Sequence, residues 1–173
     1  PSAIMGNWAK PGYKILYVLT ALGGQKLVIL QNCAFAAFSC FFAYKSAERL
    51  GAGNPWVAFI LLATQPLWIS LSFRNYSEFP AAFLLVLAFW FYSGKKMLPA
   101  AIISGLICTI RQEFYPIAAV FGVWLLYRKY WFAAISIALF PLPQNLAGYL
   151  IYGDPMYLYN QILGTSATLK DAY

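Results

Sequence analysis

Histidine is absent from the 173 residues, which removes the side chain most often used as a general base or metal ligand near neutral pH. Acids are almost as scarce, five in all, and none precedes Glu48. The three cysteines, Cys33, Cys40 and Cys108, lie inside apolar runs without CxxC spacing. They support neither a metal site nor a disulfide framework and fit buried free thiols. Charged residues make up 10% of the chain, against about 25% in soluble domains. A water-soluble globule, a disordered chain and a nucleic-acid-binding domain are excluded together, and the net charge of +7 reflects missing acids more than a basic patch. In their place the chain is 62% hydrophobic and 19% aromatic, with a mean hydropathy of +0.65. A spanning helix needs about 20 apolar residues, so there is room for roughly six or seven spans with short loops. The composition predicts an all-α, polytopic transmembrane helical bundle forming a single domain. The chain begins at Pro1 without an initiator Met or signal-peptide pattern, and reads as part of a longer protein.

Residues 1–24 mix polar, Gly and aromatic positions before a short apolar stretch, residues 15–22, that ends at Gly23-Gly24. This stretch is too short to span and predicts a helix lying at the membrane interface or a re-entrant piece, with Trp8, Tyr13 and Tyr17 at headgroup depth. Six apolar runs follow within residues 25–152, at 27–44, 56–72, 79–93, 97–110, 114–127 and 131–152. Kinks are expected at Pro66 and at Pro141 and Pro143. The fourth and fifth runs could form one long helix. Two helices are preferred, because Pro116 interrupts the pattern and a continuous helix would place Arg111 and Glu113 in mid-bilayer, at about 2.5–3.5 kcal/mol each. Residues 153–173 form a polar, Tyr-rich outer tail.

Alternating spans sort the loops. Lys45, Arg49, Lys95, Lys96, Arg128 and Lys129 fall on one face, which the positive-inside rule makes cytoplasmic. Lys10, Lys14, Lys26, Arg74 and Arg111 fall on the other, together with Glu78, Glu113, Asp154 and Asp171. The plain reading of Arg74/Glu78 and Arg111/Glu113 is solvated loop ends or local ion pairs. The sharper reading is a polar site at the outer surface, because charged groups at membrane depth tend to face a cavity and carry function.

Four local patterns then carry a resemblance. They are Asn7-Trp8-Ala9-Lys10-Pro11-Gly12-Tyr13 before the short apolar stretch, Ser77-Glu78 at the start of the third run, Thr109-Ile110-Arg111-Gln112-Glu113-Phe114, and Tyr152-Gly153-Asp154-Pro155. In order and on one face, they resemble the multi-spanning GT-C glycosyltransferases that use a polyprenyl-phosphate sugar, the mannosyltransferases among them. In the third pattern Gln112 stands where the family's similar turn has Pro. The resemblance implies transfer of a hexose from a polyprenyl-phosphate donor at the outer, periplasmic or lumenal, face of a membrane, with a bacterial inner membrane expected before the endoplasmic reticulum. The family's main catalytic acid sits early in the first outer loop, and this chain has no acid there, which puts that residue upstream of Pro1 or makes the chain a non-catalytic relative.

Such chemistry needs a base for the acceptor hydroxyl, cations for the departing phosphate and a groove for the lipid. Glu78 is the candidate carboxylate, as base or as a partner for sugar hydroxyls. Arg111 and Arg74 suit phosphate oxygens through paired guanidinium donors. Lys10, Glu113 and Asp154 complete the expected substrate-binding set, and Lys10 also suits a plain interfacial anchor. The expected partners are membrane lipids and the lipid-linked sugar donor, with other membrane subunits under the accessory reading and no nucleic acid. No cofactor beyond that donor is called for, and nothing in the sequence indicates a divalent metal. Two competitors remain: a non-catalytic scaffold or accessory subunit, and a transporter whose polar mid-span groups would be Gln31, Asn32, Thr64, Gln65, Gln144 and Asn145.

Overall fold

A computed structural model describes residues 10–74 and 76–160, without the side chain of Tyr152. Asn7, Trp8 and Asp171 therefore lie outside the described residues. Among these the fold is all-helical: α1 (Pro11–Leu22), α2 (Gln25–Arg49), α3 (Trp56–Ala63), α4 (Pro66–Ser72), α5 (Glu78–Ser93), α6 (Met97–Ile110), α7 (Tyr115–Tyr127), α8 (Trp131–Ser136) and α9 (Pro141–Tyr152). Single 3-10 turns join α6 to α7 at Gln112–Phe114 and follow α8 at Ile137–Leu139.

The helices start and stop where backbone chemistry requires. After α2, α5 and α7 the chain reverses through a residue of positive φ: Gly51 at 73°, Lys95 at 58° and Lys129 at 64°. In each turn two N–H groups return to the last carbonyls, such as Lys96 N to Phe91 O at 2.9 Å and Tyr130 N to Leu125 O at 2.9 Å. This closes the helix end with groups it would otherwise leave unpaired. At the opposite pole, Arg111 takes an extended backbone, φ −136° and ψ 117°, that ends α6.

Two expectations change in detail. Pro66 breaks the second run into α3 and α4 instead of kinking one helix, because Gln65 before it is pushed to an extended ψ of 115°. The sixth run divides a turn earlier than its prolines. Pro141 has no N–H to offer the carbonyl of Ile137, four residues back, and the chain tightens there into the 3-10 turn. That carbonyl lies against Gly105 of α6, where a Cβ would collide with it. The expected separation of the fourth and fifth runs is seen, with α6 matching residues 97–110 and α7 beginning at Tyr115.

Successive rods run antiparallel. At one pole, Arg49 Nη1 donates to Trp90 O at 2.8 Å, and the Tyr92 ring meets Trp124 at 5.5 Å, so the ends of α2, α5 and α7 gather with Lys95, Lys96, Arg128 and Lys129 nearby. At the other pole, Trp68 packs on Phe79 at 4.5 Å and the Asn32 amide donates to Arg74 O at 3.2 Å. The core between them holds Ala81, Phe83, Leu84, Ile107 and Ile110, and a second cluster unites Ala101, Leu125 and Ala133.

The polarity is that of a membrane protein. Asn32, Ser39, Ser72, Thr109 and Gln144 are buried, whereas Leu19 and Leu22 on α1, Val120 on α7, Phe132 on α8 and Leu150 on α9 face outward. Such an outer surface far exceeds what a soluble monomer tolerates. Two of the buried hydroxyls are satisfied within their own helices, Ser39 on Phe35 O and Thr109 on Leu106 O, both at 2.7 Å. On length and composition, Gln25–Arg49 and Trp131–Ile151 can each cross a bilayer, while α5 and α6 are apolar but shorter. Among the described residues, spanning length is thus reached by two segments where the apolar runs predict six, since Pro66 and the tight turns cut the others short.

Candidate functional site

The acid-bearing pole is assembled around the extended residue that ends α6. Its side chain, Arg111, turns back on Glu113 with Nε and Nη2 donating to the two carboxylate oxygens at 3.1 and 3.0 Å, a paired geometry. The third nitrogen, Nη1, donates to Glu78 in the first turn of α5, 33 residues earlier in the chain. One guanidinium thus ties the start of α5 to the end of α6.

Helix α1 closes over this pair. Gly12, buried in its first turn, lies against Thr109 so closely that a Cβ would meet the Thr109 backbone carbonyl carbon at 2.9 Å. That contact fixes the residues beside Gly12. Lys10, immediately before the helix, has its ammonium enclosed with no hydrogen-bond partner among the described residues. Burial lowers its pKa, opposed in part by the charge of Glu113. Tyr13, half-buried, stacks at 4.6 Å on Tyr17, and its phenol is pushed up first by burial and then by the Glu78 carboxylate. Tyr17 in turn donates to Asn32 on α2, and Thr20 donates to Gln31, so α1 is pinned by side-chain hydrogen bonds to α2.

Electrostatics follow from this packing. Burial acts to raise the Glu113 carboxyl, but the bonds from Arg111 and the charges of Arg111 and Lys10 outweigh it and hold it below the usual range. Arg111 is held in its charged form by Glu113 and then Glu78, against its own partial burial. The cluster comprises two cations and two carboxylates, with no net charge.

Lys10, Glu78, Arg111 and Glu113 are therefore brought together. Arg74 and Asp154 are not joined to them by any ion pair or hydrogen bond among the described residues. Arg74 is exposed at the same pole, and its backbone carbonyl, not its guanidinium, is what Asn32 holds. Its spacing of four from Glu78 falls across a turn before α5, so helical i,i+4 pairing does not apply and Glu78 pairs with Arg111 instead. Asp154 accepts from Met156 N at 2.9 Å and from the Asn160 amide at 2.9 and 3.0 Å, which makes it the hinge of a local turn. Gly12 and Thr109 are residues that sequence reasoning did not single out for the site, and it took Asn32 only as a mid-span polar group of the transporter reading. The first two lay inside quoted motifs, but nothing in their spacing tells that they touch. No group of three His, Cys, Asp or Glu is placed to hold a metal ion among the described residues.

The sequence profile of glycosyltransferase family 87 matches residues 11–170, nearly the whole chain, with Gly12, Glu78, Arg111 and Asp154 all inside the match. The chain belongs to glycosyltransferase family 87. Its membership places it among the GT-C enzymes, as the four motifs implied. It is also 29% identical over 138 residues to GPI mannosyltransferase 3 of Yarrowia lipolytica (strain CLIB 122 / E 150), a match covering 71% of this chain. The chain spans about a quarter (27%) of that relative's length. No solved structure matches it significantly. Because this relative is eukaryotic, the expectation of a bacterial inner membrane gains no support.

Proposed function

We propose that this family 87 chain carries the donor headgroup site of a membrane hexosyltransferase that takes its sugar from a polyprenyl-phosphate lipid. The observation that carries the reading is the Arg111 clamp. Arg111 and Lys10 lie at the pole opposite the basic loops, beside α1, which this reading places at headgroup level. A sugar–phosphate–lipid diester bears one negative charge. It suits a neutral cluster that can reassign one guanidinium edge from a carboxylate to phosphate oxygens, whereas a nucleotide diphosphate donor would bring several charges to the same place.

In this reading Arg111 and Lys10 stabilise the phosphate as the glycosidic bond breaks, which is where developing charge rewards fixed donors most. Glu78, released from Arg111 by the incoming phosphate, holds sugar hydroxyls or receives the acceptor's proton. In this reading the rods α2, α3–α4, α5, α6, α7 and α8–α9 are six crossings, the shorter ones matched by local thinning of the bilayer, and the positive-inside rule then puts the cluster on the periplasmic or lumenal side. The relative's name points to mannose as the hexose.

Arg111→Ala in the full-length protein is expected to abolish incorporation of labelled hexose from a polyprenyl-phosphate donor while leaving expression and detergent-extracted folding unchanged. Turnover at the wild-type rate overturns the reading. One observation favours an accessory role instead: both carboxylates of the cluster are committed to Arg111. Transfer by the purified full-length protein alone decides between the two.

A further inference from the structure

The pole opposite the Arg111 cluster has a different charge pattern. Arg49, Lys95, Lys96, Arg128 and Lys129 are all exposed there. Among the described residues the only carboxylate at this pole, Glu48, is spent on Lys45 at 2.8 Å, and no ion pair reaches any of the five cations. They come from three helix ends that side chains draw together. Arg49 Nη1 at the end of α2 donates to Trp90 O on α5 at 2.8 Å, and Tyr92 on α5 meets Trp124 on α7 at 5.5 Å. Five like charges gathered in this way repel one another and attract an outside anion.

Arg49 is the anchored member. Its guanidinium lies over the Trp90 ring at 4.4 Å, as Arg128 lies over Trp124 at 5.9 Å. The bond to Trp90 O uses Nη1 alone, and among the described residues Nε and Nη2 have no hydrogen-bond partner. These are the two nitrogens with which Arg111 grips Glu113 at the other pole, and such an edge fits two oxygens of a phosphate. Gly94 makes room for it. Its φ of −84° suits any residue, but a Cβ there would lie 2.6 Å from Arg49 Nη1. The glycine of this turn therefore serves space, and the left-handed position falls to Lys95, with Lys129 in the matching place after α7. Glycine is the usual occupant of that position, so both turns keep a lysine at a conformational cost.

We propose that this pole binds the headgroup phosphate of an anionic phospholipid, held by the free edge of Arg49 with Lys95, Lys96, Arg128 and Lys129 as surrounding charges. The leaflet is the one that the positive-inside rule makes cytoplasmic. A lipid is favoured over an acidic peptide because the cations are mounted among rings. Trp90, Trp124, Tyr127 and Tyr130 are the residue types that settle at headgroup depth, and Leu98 and Leu126 are exposed beside them to meet acyl chains. The site is separate from the transfer chemistry at the other pole and requires only that α2 cross the bilayer, for which its length and composition suffice.

The experiment uses the full-length protein in nanodiscs of phosphatidylcholine with or without phosphatidylglycerol. Retained lipids are counted by native mass spectrometry, and Tm is read in both discs. Wild type is expected to retain phosphatidylglycerol about tenfold over phosphatidylcholine and to melt several degrees higher in the anionic discs. Gly94→Ala keeps every charge but displaces the Arg49 guanidinium, and should cut the preference several-fold. Lys95→Gly combined with Lys129→Gly should melt higher than wild type in neutral discs, where only backbone strain is relieved, yet lose most of the gain that phosphatidylglycerol gives. A purely structural role for the two lysines would leave that gain intact. Equal retention of the two lipids, full preference in Gly94→Ala, or an undiminished gain in the double lysine variant overturns the proposal. So does an equal Tm gain from inorganic phosphate or a soluble polyglutamate peptide in neutral discs, which would assign the charges to a different anion.

Discussion

Gly12 and Thr109, 97 positions apart, are in direct contact: no side chain larger than hydrogen fits between α1 and the end of α6. A Cβ at Gly12 would strike both the Thr109 hydroxyl and its backbone, and the backbone cannot swing aside. Gly12→Val is therefore expected to lose about 1–3 kcal/mol by overpacking. Its Tm in detergent should fall by several degrees and donor KM should rise as Lys10 is carried away from Glu113. An unchanged Tm would show that α1 is not held at this seam.

Arg111 should not be replaceable by lysine. Three of its nitrogens address two carboxylates, in a fork that a single ammonium cannot reproduce. Arg111→Lys is expected to retain less than about a tenth of wild-type transfer, with kcat and KM both affected. Wild-type kinetics in the lysine variant would mean that charge alone, and not bidentate geometry, is what the site uses.

The pH profile of stability should show Glu113 at one end and Lys10 at the other. The folded-state pKa of Glu113 is lowered by the bonds from Arg111, against its burial. Its stabilising contribution is therefore present above its unfolded value, near 4.3, and is lost as pH falls through the folded value. Glu113→Gln should remove that acid limb. Lys10 is lowered by burial, so the unfolded chain holds its proton to higher pH, and stability should rise as pH climbs from the folded value toward 10.4. Lys10→Met should flatten this alkaline limb. Thermal melts between pH 3 and 11 on the two variants check both slopes.

At the opposite pole, Arg49 caps the Trp90 carbonyl at 2.8 Å and lies over the Trp90 ring at 4.4 Å. Arg49→Met should cost about 1 kcal/mol and lower Tm without altering transfer kinetics. A loss of activity at unchanged Tm would tie this end to the chemistry instead.

Lys95 and Lys129 sit in the left-handed region that side chains disfavour. Each replacement by glycine should raise stability by several tenths to about 1 kcal/mol, read as a higher Tm. The equivalent turn after α2 already uses Gly51, so the reverse change there, Gly51→Lys, should lower Tm by a similar amount.

The residue order alone determined the class of protein, because the solvent decides it: a chain with so few charges and such long apolar runs has no stable form in water. It also determined where helices end, through prolines and the cost of burying Arg111 and Glu113, and which pole each basic cluster joins, since antiparallel rods alternate. Met97–Ile110 was legible to the residue for these reasons. Only the tertiary structure decided that Glu78 pairs with Arg111 and not with Arg74, because that outcome turns on a distance between segments far apart in the chain. Helical periodicity places a side chain on a face, but which neighbour meets that face is set by close approaches such as Gly12 on Thr109 and Gly105 on Ile137, which no local pattern records.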